Sequence, residues 1–245
     1  ALLTPEVSCV ICCHVSNVFG YILPVAGIAA LCRERGVPLI LDASQSAGAL
    51  PVHMDTLQAA FIAMPGHKGL YGPQGTGILL CAAPVKPLLE GGTGSHSVRQ
   101  EMPEFLPDRL EAGTPNVPGI AGLLEGLRFV LRKGPERILD HERRLAAQCA
   151  AGLSRMKGVT VFSGPHLEHQ AGVLSFQVDG QDCEEVGDRL GRQGIAVRSG
   201  LHCAPLSHRT AGTLERGTVR ASFSAFNSSN DVRALLQALE RRRPS

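Results

Sequence analysis

Three short apolar runs, each leading into a polar residue of a type that binds ligands, constrain this chain more than any other feature. Val7 to Cys13 leads into His14-Val15-Ser16-Asn17, Val37 to Leu41 ends in Asp42, and Ala59 to Met64 opens into Gly66-His67-Lys68. Between the first two, Val25 to Arg35 carries Ile28, Leu31 and Cys32 at helical spacing and stops at Gly36. Strand, helix, strand is the pattern of an α/β chain, and continuous apolar runs are expected of strands buried on both faces of a parallel sheet. Open sheets of this kind bind ligands beyond the carboxyl ends of their strands, where Asn17, Asp42 and Lys68 fall.

The second half has a different texture. A helix is expected from Pro118 to Arg132, with an apolar stripe at Ile120, Leu123, Leu124, Leu127 and Leu131, and another from Pro135 to about Met156. Shorter pieces follow in a βαβ-type assembly. Val159 to Phe162, Gly172 to Val178, Ile195 to Val197 and Thr218 to Ser224 read as strands, and Cys183 to Arg192 as a helix. A last helix runs from Asp231 to Arg241 behind a Ser228-Ser229-Asn230 cap. The change near Gly134 predicts a mostly parallel larger domain over residues 1–133 and a smaller α+β domain over 134–245.

Charge excludes some partners. With 24 basic and 22 acidic residues the net charge is +2, which gives no footprint for nucleic acid or an anionic membrane. Arg241-Arg242-Arg243 reads as a solvated tail. No apolar run approaches the length that spans a bilayer and no signal peptide is visible, so the sequence reads as soluble and cytosolic. Its first residue is Ala, which fits a trimmed or fragmentary start. Eight cysteines scattered through apolar stretches resemble buried thiols of a reducing compartment. Cys9 and Cys12 have CxxC spacing, but residues three apart on a strand point to opposite faces, so no metal site is expected.

Only four of the 24 basic residues are lysines, and Lys68 alone follows an apolar run and precedes a series of glycines, Gly69, Gly72, Gly75 and Gly77. A lysine desolvated at such a site forms a Schiff base with an aldehyde such as pyridoxal phosphate (PLP); a lysine snorkelling from a loop is the plainer alternative. Asp42 reads equally as a cap on the next turn or as the carboxylate that keeps a pyridine ring protonated. Cys203 stands apart from the other cysteines because Arg198-Ser199-Gly200-Leu201-His202-Cys203-Ala204-Pro205 is a loop, with Arg198 and His202 flanking the thiol. Arg220 interrupts a strand pattern and calls for an anionic partner, which a substrate carboxylate would supply.

These residues jointly resemble the class V aminotransferase family of fold-type I PLP enzymes, and within it the group II branch of the cysteine desulfurases. The resemblance rests on His14-x-Ser16-Asn17, Asp42-x-x-Gln45, Gly66-His67-Lys68-Gly69-Leu70-Tyr71-Gly72-Pro73, Glu90-Gly91-Gly92-Thr93-Gly94-Ser95, Glu111-Ala112-Gly113-Thr114-Pro115-Asn116 and the Cys203 loop, all in family order. It implies that Lys68 holds PLP covalently and moves protons, that Asp42 pairs with the ring nitrogen, and that Gln45 and His67 contact the phenolic oxygen and the phosphate. Asn17 would contact the substrate or a cofactor oxygen, Arg220 the substrate carboxylate, and Arg198 would help shape the loop on the substrate side; Cys203, with His202 as a catalytic neighbour, would take sulfur from L-cysteine as a persulfide. Thr114 would reach the phosphate of a partner subunit, implying a homodimer, and a sulfur-acceptor protein would follow. Pro65 and Leu201 depart from the family pattern, and the family's N-terminal third is expected to be missing. Other class V activities (selenocysteine lyase, cysteine sulfinate desulfinase, aminotransferase) share Lys68 and Asp42, and a dimerising protein without chemistry is the remaining alternative.

Overall fold

The computed structural model describes residues 2–92, 94–96, 98–164 and 166–241. Thr93 and Ser97 of the glycine-rich loop, and Arg242 and Arg243 of the tail, lie outside the described residues.

The first three apolar runs form the strands that their composition predicts. They are β1 (Val10–Cys13), β2 (Leu39–Asp42) and β3 (Phe61–Pro65), parallel to one another and side by side. The crossovers carry α1 (Val25–Glu34) and a single turn, α2 (Met54–Leu57). A fourth strand, β4 (Gly77–Cys81), returns antiparallel along β3. Its apolar run is short and follows a string of glycines, so the sequence signals only the turn.

This sheet is covered on one face. Val25, Ala29 and Cys32 of α1 and Leu123 of α3 (Val117–Lys133) pack on Leu39, Leu41 and Ile62. On the opposite face Ile11 is 72% and Leu79 51% exposed. Burial of β1 on both faces was therefore the wrong expectation. All the helices that the described residues place in this core pack on the face of Leu39 and Leu41, so alternate residues of β1 meet solvent.

Gly134 separates α3 from α4 (Pro135–Leu153), and the remaining elements build a second sheet. Its strands are β5 (Val159–Phe162), β6 (Val173–Val178), β7 (Arg198–Gly200) and β8 (Thr218–Ser222), in the order β5-β6-β8-β7, with every neighbouring pair antiparallel. The βαβ expectation is half met. β6, α5 (Cys183–Arg192) and β7 form a strand-helix-strand unit with β6 and β7 parallel, but β8 lies between them. Leu145, Cys149 and Leu153 of α4, Val186 and Leu190 of α5, and Val232, Leu235 and Leu239 of α7 (Ser229–Glu240) pack on Leu174, Phe176 and Val219. Burying each such aliphatic or aromatic side chain contributes about 1.5–3 kcal/mol. Ser228 caps α7 in a reciprocal box with Asp231.

The strand expected at Ile195 to Val197 lies three residues later, at Arg198–Gly200. Ile195 and Val197 are instead partly buried against the core, and the pairing falls to Arg198 and Gly200 opposite Arg220 and Thr218. Partner register outweighs local apolar content here.

One close approach links this packing to the loop after Lys68. A Cβ built on Gly126 of α3 would lie 2.2 Å from the Leu70 carbonyl oxygen, well inside contact distance. Alanine in place of glycine favours a helix by at most about 1 kcal/mol, whereas overpacking costs about 1–3 kcal/mol. Gly126→Ala is therefore expected to lower the free energy of unfolding in urea and to displace the segment from Lys68 to Gly72.

Candidate active site

The loop after β1 begins as an ST turn, in which Ser16 Oγ accepts the backbone N–H groups of Val18 and Phe19 at 3.4 and 3.2 Å. The second sheet then holds it. Ser175 Oγ donates to the Val18 carbonyl at 2.6 Å, Gln170 Nε2 to the Phe19 carbonyl at 2.8 Å, and the Ala171 N–H to the Gly20 carbonyl at 2.8 Å. Asn17 ties three segments together. Its carbonyl accepts from Arg220 Nη1 at 2.9 Å, and its Nδ2 donates to the His202 carbonyl at 2.6 Å.

A cavity of about 560 Å³ opens beside this junction, lined by Asn17, Asp42, Gln45, Lys68 and Cys203 among others. Four separate stretches thus bring their expected site residues to one space. Asp42 ends β2 with its carboxylate defined by two donors: Oδ1 accepts the Ser44 N–H at 2.9 Å and Oδ2 the Cys13 thiol at 3.5 Å. Lys68 follows β3, and its loop packs backbone to backbone on the loop after β2. A Cβ on Gly48, whose φ is +88°, would meet the Gly69 carbonyl oxygen at 2.0 Å. Only glycine fits there, which puts Lys68 beside Gln45 on the wall of this cavity. The partial burial expected of Lys68 is not found; its side chain is exposed, because the loop stands at the rim of the sheet.

Cys203 sits in a tight turn between β7 and α6 (Pro205–Thr210), where His202 and Cys203 both adopt left-handed backbone angles, φ 51° and 61°. Two successive non-glycine residues in this region are costly by roughly 1–2 kcal/mol each. The turn is held by the buried His202 ring, whose Nε2 lies 3.2 Å from both the carbonyl and the hydroxyl oxygen of Thr218. Burial and the neighbouring Arg220 push the His202 imidazole down to about 4. The His202 ring thus anchors the turn on Thr218, whereas Arg198 Nη2 donates to Cys203 Sγ at 3.8 Å. Arg198 and Arg220 are direct cross-strand partners on β7 and β8. Burial and then Arg198 lower the Arg220 guanidinium, Cys203 acts the other way, and the Arg220 Nε is buried without a partner. An anion is the ligand that such a pair of cations lacks.

His67 and Thr114 are exposed and line neither cavity. Sequence reasoning missed Glu142 of α4, which lines a second cavity of about 250 Å³ together with Lys68, Tyr71 and Arg220. Its signal was present: Glu142 falls four residues after Ile138 and three before Leu145, on the buried stripe of its helix. Burial raises its carboxyl to about 8. It also missed Cys13, treated there as one more apolar-run thiol, which is exposed.

These two groups give stability opposite slopes with pH. His202 takes up its proton near 4 when folded but near the ordinary 6.5 when unfolded, so the unfolded chain binds more protons between these values. The His202 contribution to stability is expected to fall as pH drops through that window, and His202→Gln to flatten that fall. Glu142, moved from 4.5 to about 8, keeps a proton in the folded state that the unfolded chain has released. The Glu142 contribution is expected to fall as pH rises from about 4.5 to 8, opposing that of His202 where the two windows overlap, and Glu142→Gln to remove that loss. Thermal unfolding midpoints across pH 4–8 check both.

Residues 1–235 match the family profile described as Aminotransferase class-V. Among curated relatives, a probable cysteine desulfurase of Pyrococcus abyssi is 36% identical over 235 residues, covering 93% of this chain and 57% of the relative. Probable cysteine desulfurase 2 of Mycobacterium leprae is 36% identical over 234 residues, covering 93% of this chain and 55% of the relative. The chain thus spans a little over half the length of the curated relatives it matches. Among solved structures, the apo cysteine desulfurase of Thermococcus onnurineus NA1 superposes with a TM-score of 0.87 at 37% identity, over 96% of this chain and 59% of that one. The Escherichia coli cysteine desulfurase CsdA gives a TM-score of 0.89 at 30% identity, over 98% of this chain and 60% of that one. A match over nearly the whole chain, with a mostly parallel sheet whose strand ends carry the ligand-type residues, means that this chain belongs to the class-V aminotransferase family.

Proposed function

We propose that this chain carries the cofactor lysine and the acceptor thiol of a PLP-dependent cysteine desulfurase, converting L-cysteine to L-alanine and leaving a persulfide on Cys203. The observation that carries this reading is the single cavity of about 560 Å³ onto which Asp42, Lys68 and Cys203 all open. Cysteine desulfurases among the relatives support it. The residues present fit PLP: an amine at Lys68 to bind its aldehyde, a carboxylate at Asp42 for its ring nitrogen, and Gln45 on the same wall. His67 is assigned to its phosphate and Thr114 to the phosphate site of a second copy, which makes the working form a homodimer. When bound, PLP supplies an electron sink for charge developing at the substrate carbon atoms.

The chain's own residues supply the rest. Arg220, with an Nε that has no partner, binds the substrate carboxylate, and Asn17 orients Arg220 through its carbonyl. Lys68 Nζ takes the proton from the substrate Cα and returns one to product. Cys203 Sγ attacks the substrate sulfur, so that an S–S bond forms as the Cβ–S bond breaks; protonation of Cβ completes alanine. The balance is cysteine plus thiol giving alanine plus persulfide, from which an acceptor protein takes the outer sulfur. Arg198 steadies the sulfur through its contact at 3.8 Å.

A second reading, a chain that folds and dimerises without chemistry, draws on the exposure of Lys68. One experiment separates the two. The purified chain is mixed with PLP, and its visible spectrum is recorded beside that of Lys68→Ala. A band that requires Lys68 is expected; its absence favours the second reading. Cys203→Ser is expected to keep the band and lower alanine formation from cysteine by about a hundredfold or more, whereas undiminished turnover would point to another class V activity.

A further inference from the structure

Asp42 is the residue on which the proposed cofactor chemistry depends most, and its two oxygens are held from different places. Oδ1 is engaged locally by the Ser44 N–H at 2.9 Å. Oδ2 receives the Cys13 thiol at 3.5 Å from the neighbouring strand. Cys13 and Asp42 are direct partners in the β1–β2 register, and the next residue continues the ladder, with the His14 N–H on the Asp42 carbonyl at 2.9 Å. The thiol is therefore delivered to Oδ2 by a fixed backbone. A carboxylate held through one oxygen rotates about its terminal torsion, which is broad and roughly two-fold; held through both, it keeps one plane.

We infer that Cys13 is a positioning residue for Asp42, its S–H fixing the orientation in which the carboxylate faces the cavity. The inference rests on the PLP reading above for its functional meaning, but the contact itself does not. Burial, the Asp42 charge and hydrogen bond, and Cys12 all raise the Cys13 thiol, which keeps it a donor rather than a thiolate. The other ionisable groups on the same cavity are Cys12, Lys68 and Cys203, with His14 next in sequence. The three cavity thiols thus have different company: Cys12 donates to the Cys13 carbonyl at 3.2 Å, Cys13 meets a carboxylate, and Cys203 meets the Arg198 guanidinium. Asp42 in turn holds Cys13 out of sulfur chemistry, and burial raises the Cys12 thiol as well, leaving Cys203 as the nucleophile.

The test has two arms. In the first, the chain without cofactor is labelled with iodoacetamide across pH, and modification of the Cys13 peptide is followed by mass spectrometry in the unsubstituted chain and in Asp42→Asn. Losing the carboxylate is expected to lower the pH midpoint for Cys13 and to speed its labelling at pH 8 by about threefold or more. An unchanged profile overturns the inference. In the second arm, PLP is titrated into Cys13→Val and Cys13→Thr, reading the visible band and its dependence on pH. Valine removes the donor and is expected to weaken PLP binding about tenfold and to shift the pH profile of the band, while threonine, which restores a donor, is expected to stay within about twofold of the unsubstituted chain. Equal behaviour of valine and threonine overturns the positioning role. If the unsubstituted chain itself shows no band that requires Lys68, the PLP reading fails, and the labelling arm alone decides whether Cys13 and Asp42 are paired.

Discussion

The rest of the structure depends on how the second sheet grips the loop after β1. Residues 17–20 have no regular structure of their own, and their carbonyls would be left unpaired inside the molecule without it. The serine, glutamine and arginine side chains of Ser175, Gln170 and Arg220 reach across to accept that task, each donating to one backbone carbonyl in turn. Buried backbone groups left unpaired cost about 1–3 kcal/mol each, so the loop has one favourable place. That place brings Asn17 to the end of β2 and to the Cys203 turn at once.

Charge is divided between the two sheets accordingly. The first sheet contributes the carboxylate of Asp42 and the amine of Lys68, whereas the second contributes the guanidinium pair of Arg198 and Arg220. The pair of arginines on adjacent strands repel each other, and like charges directly opposite destabilise a sheet. Arg220 relieves part of this through the Asn17 carbonyl, and Arg198 lies at the surface, where water screens it.

Much of this was legible in the sequence, and the failures have physical causes. The strands ending in Asp42 and before Lys68, the helices from Val117 and Pro135, and the helix from Cys183 to Arg192 follow from local composition alone. Asn17, Asp42 and Lys68 stood out because each follows an apolar run, and Cys203 because it lies in a loop between Arg198, His202 and Pro205. Ile195 to Val197 misled because β7 is defined by its partner rather than by its own residues, and β8 cannot be seen to enter between β6 and β7 from either side chain pattern. Burial of Lys68 was inferred from the apolar run before it, but the chain leaves the sheet within three residues and reaches the rim. Glu142 and Cys13 escaped notice because a carboxyl and a thiol on apolar stripes look like exceptions until the groups facing them are known.

The turn from Gly200 to Cys203 has a further consequence, for the variation this chain tolerates. Its length is fixed at its start and twice in the middle: Gly200 by pairing with Thr218, the His202 ring by Thr218 again, and the His202 carbonyl by Asn17. With three attachments over so few residues, an inserted or deleted residue would shift the sulfur by the length of a peptide unit and release all three anchors together. Gly212, by contrast, has a left-handed φ and open space around it, in an exposed turn after α6. Length variation in natural or engineered forms of this chain should therefore accumulate after Thr210 and be almost absent before Cys203, although the two segments adjoin.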